Sequence, residues 1–491
     1  MSQKEGVSCI VPPIRADFLD GGMERLAVIV LAAGQGKRMK SDLPKVLTST
    51  VDKPLICHTL SAISALQPEQ VAIVVGHGAA LVEEAVTVAL KAGELCLPSV
   101  SFPRQESQRG TGDAARSALP SLRGFSGTVI IICGDTPLVS PQTLSAMITA
   151  HRRECAAITL LSAVVPEPRG YGRIIRDASG DLVKKITECR DCSPDERLIR
   201  EINTGVYAVD ADFLAESLSR ITNENAQGEY YLTDIVEQAV LAGKKVRALP
   251  VFESDEWLGV NTYLDLHRVN QVILRRRIEQ LLLSGVNILD PRSVIIDERV
   301  VIEPGVTIGP NTQLLGATTL RRGCSLEGNS YLKDTFVEEG AAVKFGVRAE
   351  RSIIGRNASV GPFAHLRPGS VLKDSVKVGN FVETKNAELG ANSSAGHLTY
   401  LGDCTIGERV NIGAGTITCN YDGFKKHRTI IEDDCFIGSD TCLIAPLSVG
   451  AKSTIGAGSV LSADVPANSL ALTRPPVKIR QDYVRKERRG E

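Results

Sequence analysis

Three clusters in this 491-residue chain are of residue types that do chemistry. The first is Leu31-Ala32-Ala33-Gly34-Gln35-Gly36-Lys37-Arg38-Met39, followed by Ser41-Asp-Leu-Pro-Lys45. Glycines 34 and 36 leave backbone amides bare for a polyphosphate, and Lys37, Arg38 and Lys45 supply positive charge. No Gly-Lys-Ser/Thr follows, so this is not a Walker A loop, and the third glycine of a dinucleotide fingerprint is missing. The second cluster is Gly134-Asp135, just past the apolar run Val129–Ile132. A carboxylate at the end of a buried parallel strand is placed to meet a ligand or a hard cation. The third is a set of polar islands, Asn380-Phe-Val-Glu-Thr-Lys385, Gly396-His-Leu-Thr-Tyr-Leu-Gly402 and Asn411–Gly423, inside a regular aliphatic repeat that has no need of them. Taking a proton near neutral pH suits a histidine. Of His365, His397 and His427 in this half, His397 stands out because its stretch carries no repeat.

The elements that position these residues follow two different periods. Through about residue 260, short apolar runs (Leu26–Leu31, Val71–Val75, Val129–Ile132) alternate with helical spacing (Leu55–Leu66, Leu81–Leu90). That alternation predicts a parallel sheet covered by helices, with ligands at the C-terminal ends of its strands. Leu264–Leu283 has helical spacing without glycine or proline and reads as a connector. Then aliphatics recur at every sixth position: Ile296, Ile302, Ile308, Leu314, Leu320, Leu326 and Leu332, then Ile354 to Val378, Ile406 and Ile412, and Ile437 to Leu461. Neither a 3.6-residue helix nor a two-sided strand keeps a period of six on one face. One short strand and one corner per hexad, stacked as a parallel β-helix, does. The interruptions at 333–353, 379–405 and 413–436 are expected to be loops leaving the stack.

Composition bounds the function. The formal net charge is −1, with 43% hydrophobic and 23% charged residues. The basic excess of a nucleic-acid binder is absent, and no apolar run approaches the ~20 residues that cross a bilayer. The first 24 residues lack the apolar core of a secretory signal. Among 12 cysteines, only Cys189 and Cys192 form a Cys-x-x-Cys. With no second pair or histidines at ligand spacing, reduced thiols are expected rather than zinc, in a reducing, cytoplasmic compartment.

From about Leu26 to Arg474 the sequence resembles the bifunctional N-acetylglucosamine-1-phosphate uridylyltransferase / glucosamine-1-phosphate acetyltransferase family of sugar nucleotidyltransferases. The loop and Leu43-Pro44-Lys45 carry the likeness, with Gln105, Gly110-Thr111-Gly112, Gly134-Asp135, Gly170-Tyr-Gly-Arg-Ile174, Glu201-Ile-Asn-Thr-Gly205, Asn225–Tyr231 and Gly259-Val-Asn261 in order. The resemblance implies an α/β, Rossmann-like nucleotidyltransferase domain followed by a left-handed parallel β-helix of hexapeptide repeats. It implies acetylation of glucosamine-1-phosphate by acetyl-CoA, then uridylyl transfer from UTP to N-acetylglucosamine-1-phosphate. It places Leu31, Ala32, Ala33, Gly34 and Gln105 on the uracil, Gly110 and Thr111 beside the nucleoside, and Arg38 and Lys45 on the phosphates. Gly172, Glu188 and Asn203 would hold the acetylated sugar, and Asp135 and Asn261 would bind Mg²⁺. In the second half His397 would be the general base, and Arg367 and Lys385 would bind the sugar phosphate. Tyr400, Asn411, Asn420 and Tyr421 would orient the sugar and amine, while Ala414, Ser439, Ala457 and Arg474 would line the acetyl-CoA groove. The same likeness implies a homotrimer acting on the small molecules UTP, acetyl-CoA, glucosamine-1-phosphate and N-acetylglucosamine-1-phosphate, while the charge balance and the short apolar runs argue against a nucleic-acid or membrane partner.

Cys133 departs from the pattern, since relatives carry an aromatic residue there. The expected boundaries are an extension at 1–24, a nucleotidyltransferase domain at 25–262, a helical linker at 263–285, a β-helix at 286–474 and a basic tail at 475–491. That tail reads as solubilising, with closure over coenzyme A as its alternative. The competing function is a single-activity sugar-1-phosphate nucleotidyltransferase whose β-helix only oligomerises.

Overall fold

The computed structural model describes residues 25–473 and 475–482. Arg474 and the two termini, with the 1–24 extension and most of the basic tail, lie outside the described residues. The chain forms two compact units, one ending at Ile273 and the other starting at Leu274.

Among its described residues the first unit holds nine strands: β1 (Leu26–Leu31), β2 (Gln70–Val74), β3 (Val100–Ser101), β4 (Thr128–Cys133), β5 (Ile158–Val164), β6 (Arg173–Arg176), β7 (Val183–Thr187), β8 (Glu201–Asp210) and β9 (Val246–Pro250). Their order is β3-β2-β1-β4-β8-β5-β9, with β6 and β7 as a side hairpin. β1 runs parallel to β2 and β4, whereas β8 is antiparallel to β4 and β5. The strands are accompanied by the α-helices α1 (Leu55–Ser64), α2 (Ala79–Lys91), α3 (Thr111–Ala118), α4 (Pro141–Arg153), α5 (Ala211–Arg220) and α6 (Asp234–Leu241). Alternate residues of β1 feed separate cores. Ala27 and Ile29 pack with Ala115 of α3 and Leu214 of α5, while Val28 and Val30 pack with Leu60 of α1, Val86 of α2 and Met147 of α4. Both faces of the sheet are thus covered, which is why its strands read as unbroken apolar runs.

A long helix, α7 (Tyr263–Leu283), is divided between the units. Leu266, Val269 and Val272 pack with Met39, Leu55, Leu138 and Val260 of the first unit. Ile278 and Leu281 belong to the core of the second. Among its described residues that second unit is a stack of short parallel strands in two sheets of 11 and 17 strands. One inward column runs Ile288, Ile308, Leu326, Val343, Val360, Val378, Ala395, Ile412, Ile437 and Ile455 by direct pairing from coil to coil.

The expected loops at 333–353 and 379–405 are a correction. Both segments continue the stack, as Phe336–Val337, Ala342–Val343 and Arg348–Glu350 in the first and Glu383–Leu389, Ser394–His397 and Tyr400–Ile406 in the second. The hexad frame breaks because Leu332 is followed inside by Val337, and Thr384 by Leu389, one residue early. Ala349, Thr384 and Ala395 also fill inward positions without being large aliphatics. Within 413–436 only Asn420–Arg428, between the strands Ile417–Cys419 and Thr429–Ile431, leaves the stack.

Candidate active sites

In the first unit, β1 and β4 are neighbours in register, Leu31 opposite Cys133. The loop after β1 and Gly134-Asp135 after β4 therefore emerge side by side at one sheet edge, and the Gly134 N–H donates to the Leu31 carbonyl at 3.0 Å. Gly36 adopts φ +66°, and a Cβ there would stand 2.7 Å from Lys45 Cβ. Glycine is thus needed both for the left-handed turn and for the close pass of Lys45.

The Lys45 ammonium bonds the Asp135 carboxylate and donates to Asn261 Oδ1 at 3.2 Å. Arg38 donates to the same Asn261 oxygen at 2.8 Å. Asn261 arrives because the Val260 N–H donates to the Asp135 carbonyl at 3.0 Å, and Asp265 at the start of α7 accepts from the Asn261 and Thr262 amides. Two oxygens of the kind a hard cation prefers and two cations that would meet phosphates thus share one spot.

The hairpin of β6 and β7 supplies another group. Arg173 pairs with Thr187, so Gly172 before β6 faces Glu188 after β7. A Cβ on Gly172 would lie 3.5 Å from the Glu188 carboxylate and 3.0 Å from Ile186. Asn203 joins them, its N–H donating to the Gly172 carbonyl at 2.9 Å. The Asn203 amide donates to the Tyr207 hydroxyl at 2.6 Å and accepts from the Gly205 N–H, leaving one amide proton for a ligand. Burial lifts the Glu188 carboxyl above its ordinary range, against the pull of a 3.3 Å hydrogen bond from Thr233. Cys133 faces Gly205, where a Cβ would meet its sulfur at 3.7 Å.

The base-side residues are partly engaged within the protein. Gln105 is buried and donates to the Gly110 carbonyl at 3.1 Å and to Asp113 at 2.9 Å. Thr111, at the start of α3, accepts from the Leu232 N–H. Gly110 has φ +111°, and a Cβ there would run into the Tyr230 backbone. A cleft of about 690 Å³ lined by Gln35, Gly76, His77, Gln105 and Gln108 opens beside them. Sequence reasoning missed Gln108, whose amide donates to the Ala33 carbonyl at 2.6 Å. A polar residue three places beyond Gln105 carried no pattern of its own.

In the second unit, the pairings Ala395–Ile412–Ile437–Ile455 carry on two residues to His397, Ala414, Ser439 and Ala457. These four occupy one corner in four successive coils. His397 is exposed there, opposite Asn380 of the preceding coil. The adjoining face holds the other predicted group. The pairing Leu366–Thr384 places Arg367 beside Lys385, and Lys385 pairs with Gly402. Tyr400 pairs with Glu383 on the same strands, and its hydroxyl crowds Gly402. Asn411 accepts from Ser394 at 3.3 Å. Asn420 is buried, and Tyr421 is exposed with its hydroxyl donating to the Gly423 carbonyl.

Two acids here had been given no role by the sequence, although Glu383 lies within the polar island Asn380–Lys385. Glu383 accepts from Arg367 at 2.7 Å. Asp403 accepts from Asn386 at 2.7 Å and from Asn420 at 2.5 Å, tying three coils together. Although burial opposes it, those two amides and the nearby Lys426 and Lys385 hold the Asp403 carboxyl below its ordinary range. Lys426 also presses on Lys385 and lowers its ammonium's proton affinity. Of the other histidines, His365 is held below its usual range by burial, and His427 bonds Asp422 at 2.7 Å inside its own loop.

Residues 27–276 match the nucleotidyl transferase family, 291–395 the GMPPB C-terminal domain and 428–463 the hexapeptide repeat of succinyl-transferase. The chain is 45% identical over 461 residues to the bifunctional protein GlmU of Pelobacter propionicus, covering 94% of this chain and 98% of that one. The chain belongs to the bifunctional GlmU family. Over 483 residues it is 44% identical to the GlmU of Geobacter metallireducens, covering 95% and 100%, and over 454 residues 43% identical to that of Geotalea uraniireducens, covering 92% and 97%. The likeness runs through both halves, so the single-activity alternative falls away. As a GlmU-family chain this is a bifunctional transferase, with N-acetylglucosamine-1-phosphate uridylyltransferase and glucosamine-1-phosphate acetyltransferase activities. Among the described residues no helix is long and apolar enough to cross a membrane.

Proposed function

We propose that the second unit acetylates glucosamine-1-phosphate at His397, and that the first joins the product to UTP over Asp135, Asn261, Lys45 and Arg38. The observation that carries the reading is the convergence of those last four side chains at the end of β4. Attack of a sugar phosphate on the α-phosphorus of UTP brings anion to anion, so alignment and charge neutralisation are what the protein supplies. Lys45 and Arg38 neutralise phosphate oxygens, and the bare loop around Gly34 receives the triphosphate. Gly172, Glu188 and Asn203 hold the acetylated sugar, and Leu31 to Gly34, Gln105, Gly110 and Thr111 read the nucleoside. The oxygens of Asp135 and Asn261 fit Mg²⁺, which keeps most of its waters and asks few protein ligands. When bound, the ion would screen the charge that builds on the phosphates.

In the acetyl transfer, His397 takes the proton as the sugar amine attacks the thioester carbonyl, and coenzyme A leaves as its thiol. The small residues Ala414, Ser439 and Ala457, stacked below His397, leave room for an extended pantetheine arm against the corner. Arg367 and Lys385 meet the sugar phosphate, and Tyr400, Asn411, Asn420 and Tyr421 orient the amine. Arg474 is assigned to the coenzyme from the family pattern alone.

We place the protein in the cytoplasm as a homotrimer. Support for self-association comes from an exposed apolar ladder, Phe345, Phe363 and Phe381, with ring centroids 5.5 and 5.8 Å apart and Leu398 on the next coil. The test follows release of coenzyme A from glucosamine-1-phosphate and acetyl-CoA, and separately release of pyrophosphate from N-acetylglucosamine-1-phosphate, UTP and Mg²⁺. Absence of either product would overturn the assignment of its unit.

A further inference from the structure

The Cys189-x-x-Cys192 pair is not used by either reaction, yet it is built into the sugar-binding corner of the first unit. Cys189 directly follows Glu188, and the turn between the cysteines closes through the Asp191 N–H donating to the Glu188 carbonyl at 2.9 Å. The Cys189 thiol donates to the Arg169 carbonyl at 3.1 Å. Arg173, itself buried, donates to the Arg169 and Tyr171 carbonyls. Cys189 and Arg173 thus grip the 169–171 segment that leads into Gly172. Cys192 is buried, its thiol donating to the Thr187 carbonyl at 3.5 Å, one residue before Glu188. The two thiols therefore brace the segments on either side of the Gly172–Glu188 contact. Both are free, and among the described residues no third metal ligand stands with them.

We propose that Cys189 and Cys192 form a reversible disulfide that disengages Glu188 and Gly172 and so switches off sugar binding in the uridylyl site. The inference rests on the assignment of Gly172, Glu188 and Asn203 to the sugar. Cys189 is the partly exposed sulfur, so its thiolate attacks a low-molecular-weight disulfide, forming a mixed disulfide and releasing one thiol. The Cys192 thiolate then displaces the second thiol. Two protein thiols are oxidised, one disulfide is reduced to two small thiols, and the sulfurs lose two protons. Burial holds the Cys192 thiol above its usual range and delays this second step until the loop opens. Once the bond closes, neither sulfur can donate to its carbonyl. Cys189 lets go of Arg169, and the segment ahead of Gly172 loses one of the contacts that hold it, leaving those from Arg173 and from Gly259 to the Tyr171 hydroxyl.

The experiment treats the whole protein with oxidised glutathione, then measures intact mass, the KM for N-acetylglucosamine-1-phosphate, the KM for UTP, and acetyl transfer. The expected result is loss of two hydrogens confined to the 189–192 peptide and a rise of about tenfold or more in sugar KM, of the size that small misplacements cause. The UTP KM and acetyl transfer stay unchanged, and dithiothreitol restores the sugar KM. Cys189→Ser should abolish the response, whereas Cys192→Ser should stop at the mixed disulfide, seen as the mass of one glutathione added at Cys189 with no loss of two hydrogens from the 189–192 peptide. If the disulfide forms and the sugar KM does not move, or if no disulfide forms within the reach of glutathione, the proposal is overturned. Glu188→Gln in reduced protein separates the two readings. An unchanged sugar KM there would overturn the sugar assignment itself, whereas a raised one leaves the switch to stand on the oxidation result.

Discussion

The Lys45 ammonium lies between the Asp135 carboxylate and the Asn261 amide oxygen, 3.2 Å from the latter. The cation assigned to phosphate thus lies against the two oxygens assigned to the metal. Asp135→Asn removes the charge and keeps the shape. It should cut uridylyl transfer by at least ~10²-fold, as loss of a preorganised charge-stabilising group does, with acetyl transfer unchanged. Titrating Mg²⁺ against initial rate checks it. Full activity at ordinary Mg²⁺ would remove Asp135 from the metal site.

Glu196 closes the same loop as Cys192. Its carboxylate accepts from Lys185 at 2.9 Å, from the Ser193 N–H at 2.9 Å and from Thr187 at 3.1 Å. The Lys185 bond, followed by the Ser193 amide, lowers its pKa from 4.5 to about 2. A carboxyl depressed in the folded state contributes stability above its unfolded value, and loses it as pH falls through the folded one. Glu196→Gln should therefore cost about 1 kcal/mol at pH 7, once screening of this partly exposed pair is allowed for. The gap to the unsubstituted protein should shrink between pH 4.5 and pH 2. Urea unfolding at both ends of that window measures it.

The parts of the molecule that repeat were legible in the sequence, and the parts that depend on unlike segments meeting were not. Leu26–Leu31 and Val129–Ile132 read as strands because both faces are buried, and the hexad column showed its period directly. The reversed β8 did not announce itself, since direction within a sheet leaves no mark on a strand's own residues. The short coils at 333–353 and 379–405 were hidden because Ala349, Thr384 and Ala395 fill inward places that the pattern reserves for aliphatics. Asp403 and Glu383 escaped for another reason. Each is an isolated acid whose role lies in a neighbour one coil away, Asn420 or Arg367, and sequence distance conceals that.

The division of α7 predicts how a separated β-helix behaves. Ile278 and Leu281 are buried in the core of the second unit, together with Val286 and Ile288 of its first coil. A fragment beginning at Val286 uncovers that core, at ~1.5–3 kcal/mol for each large side chain lost. One beginning at Leu274 keeps both. The longer fragment should melt several degrees higher, and differential scanning calorimetry of the two decides it. Equal melting temperatures would show that the helix adds nothing to the stack.

His397 shares its corner with Ala414, Ser439 and Ala457 in successive coils, which sets the assigned base at the head of the assigned coenzyme row. General-base catalysis is worth ~10²–10⁴-fold, so His397→Ala should lower acetyl transfer by about that factor. The affinity for acetyl-CoA should hardly change, because the small residues below His397 make that contact. A general base must be neutral to act, so the acid limb of the acetyl-transfer pH profile should disappear in the variant. Uridylyl transfer, carried by the other unit, is the internal control for folding. His365 is the alternative base. It stands on the adjoining face beside Glu383, and burial already keeps it neutral further into acid. Were His365 the base, His397→Ala would leave both the rate and the acid limb intact, and His365→Ala would abolish them instead. The paired pH profiles of the two variants therefore decide between the histidines.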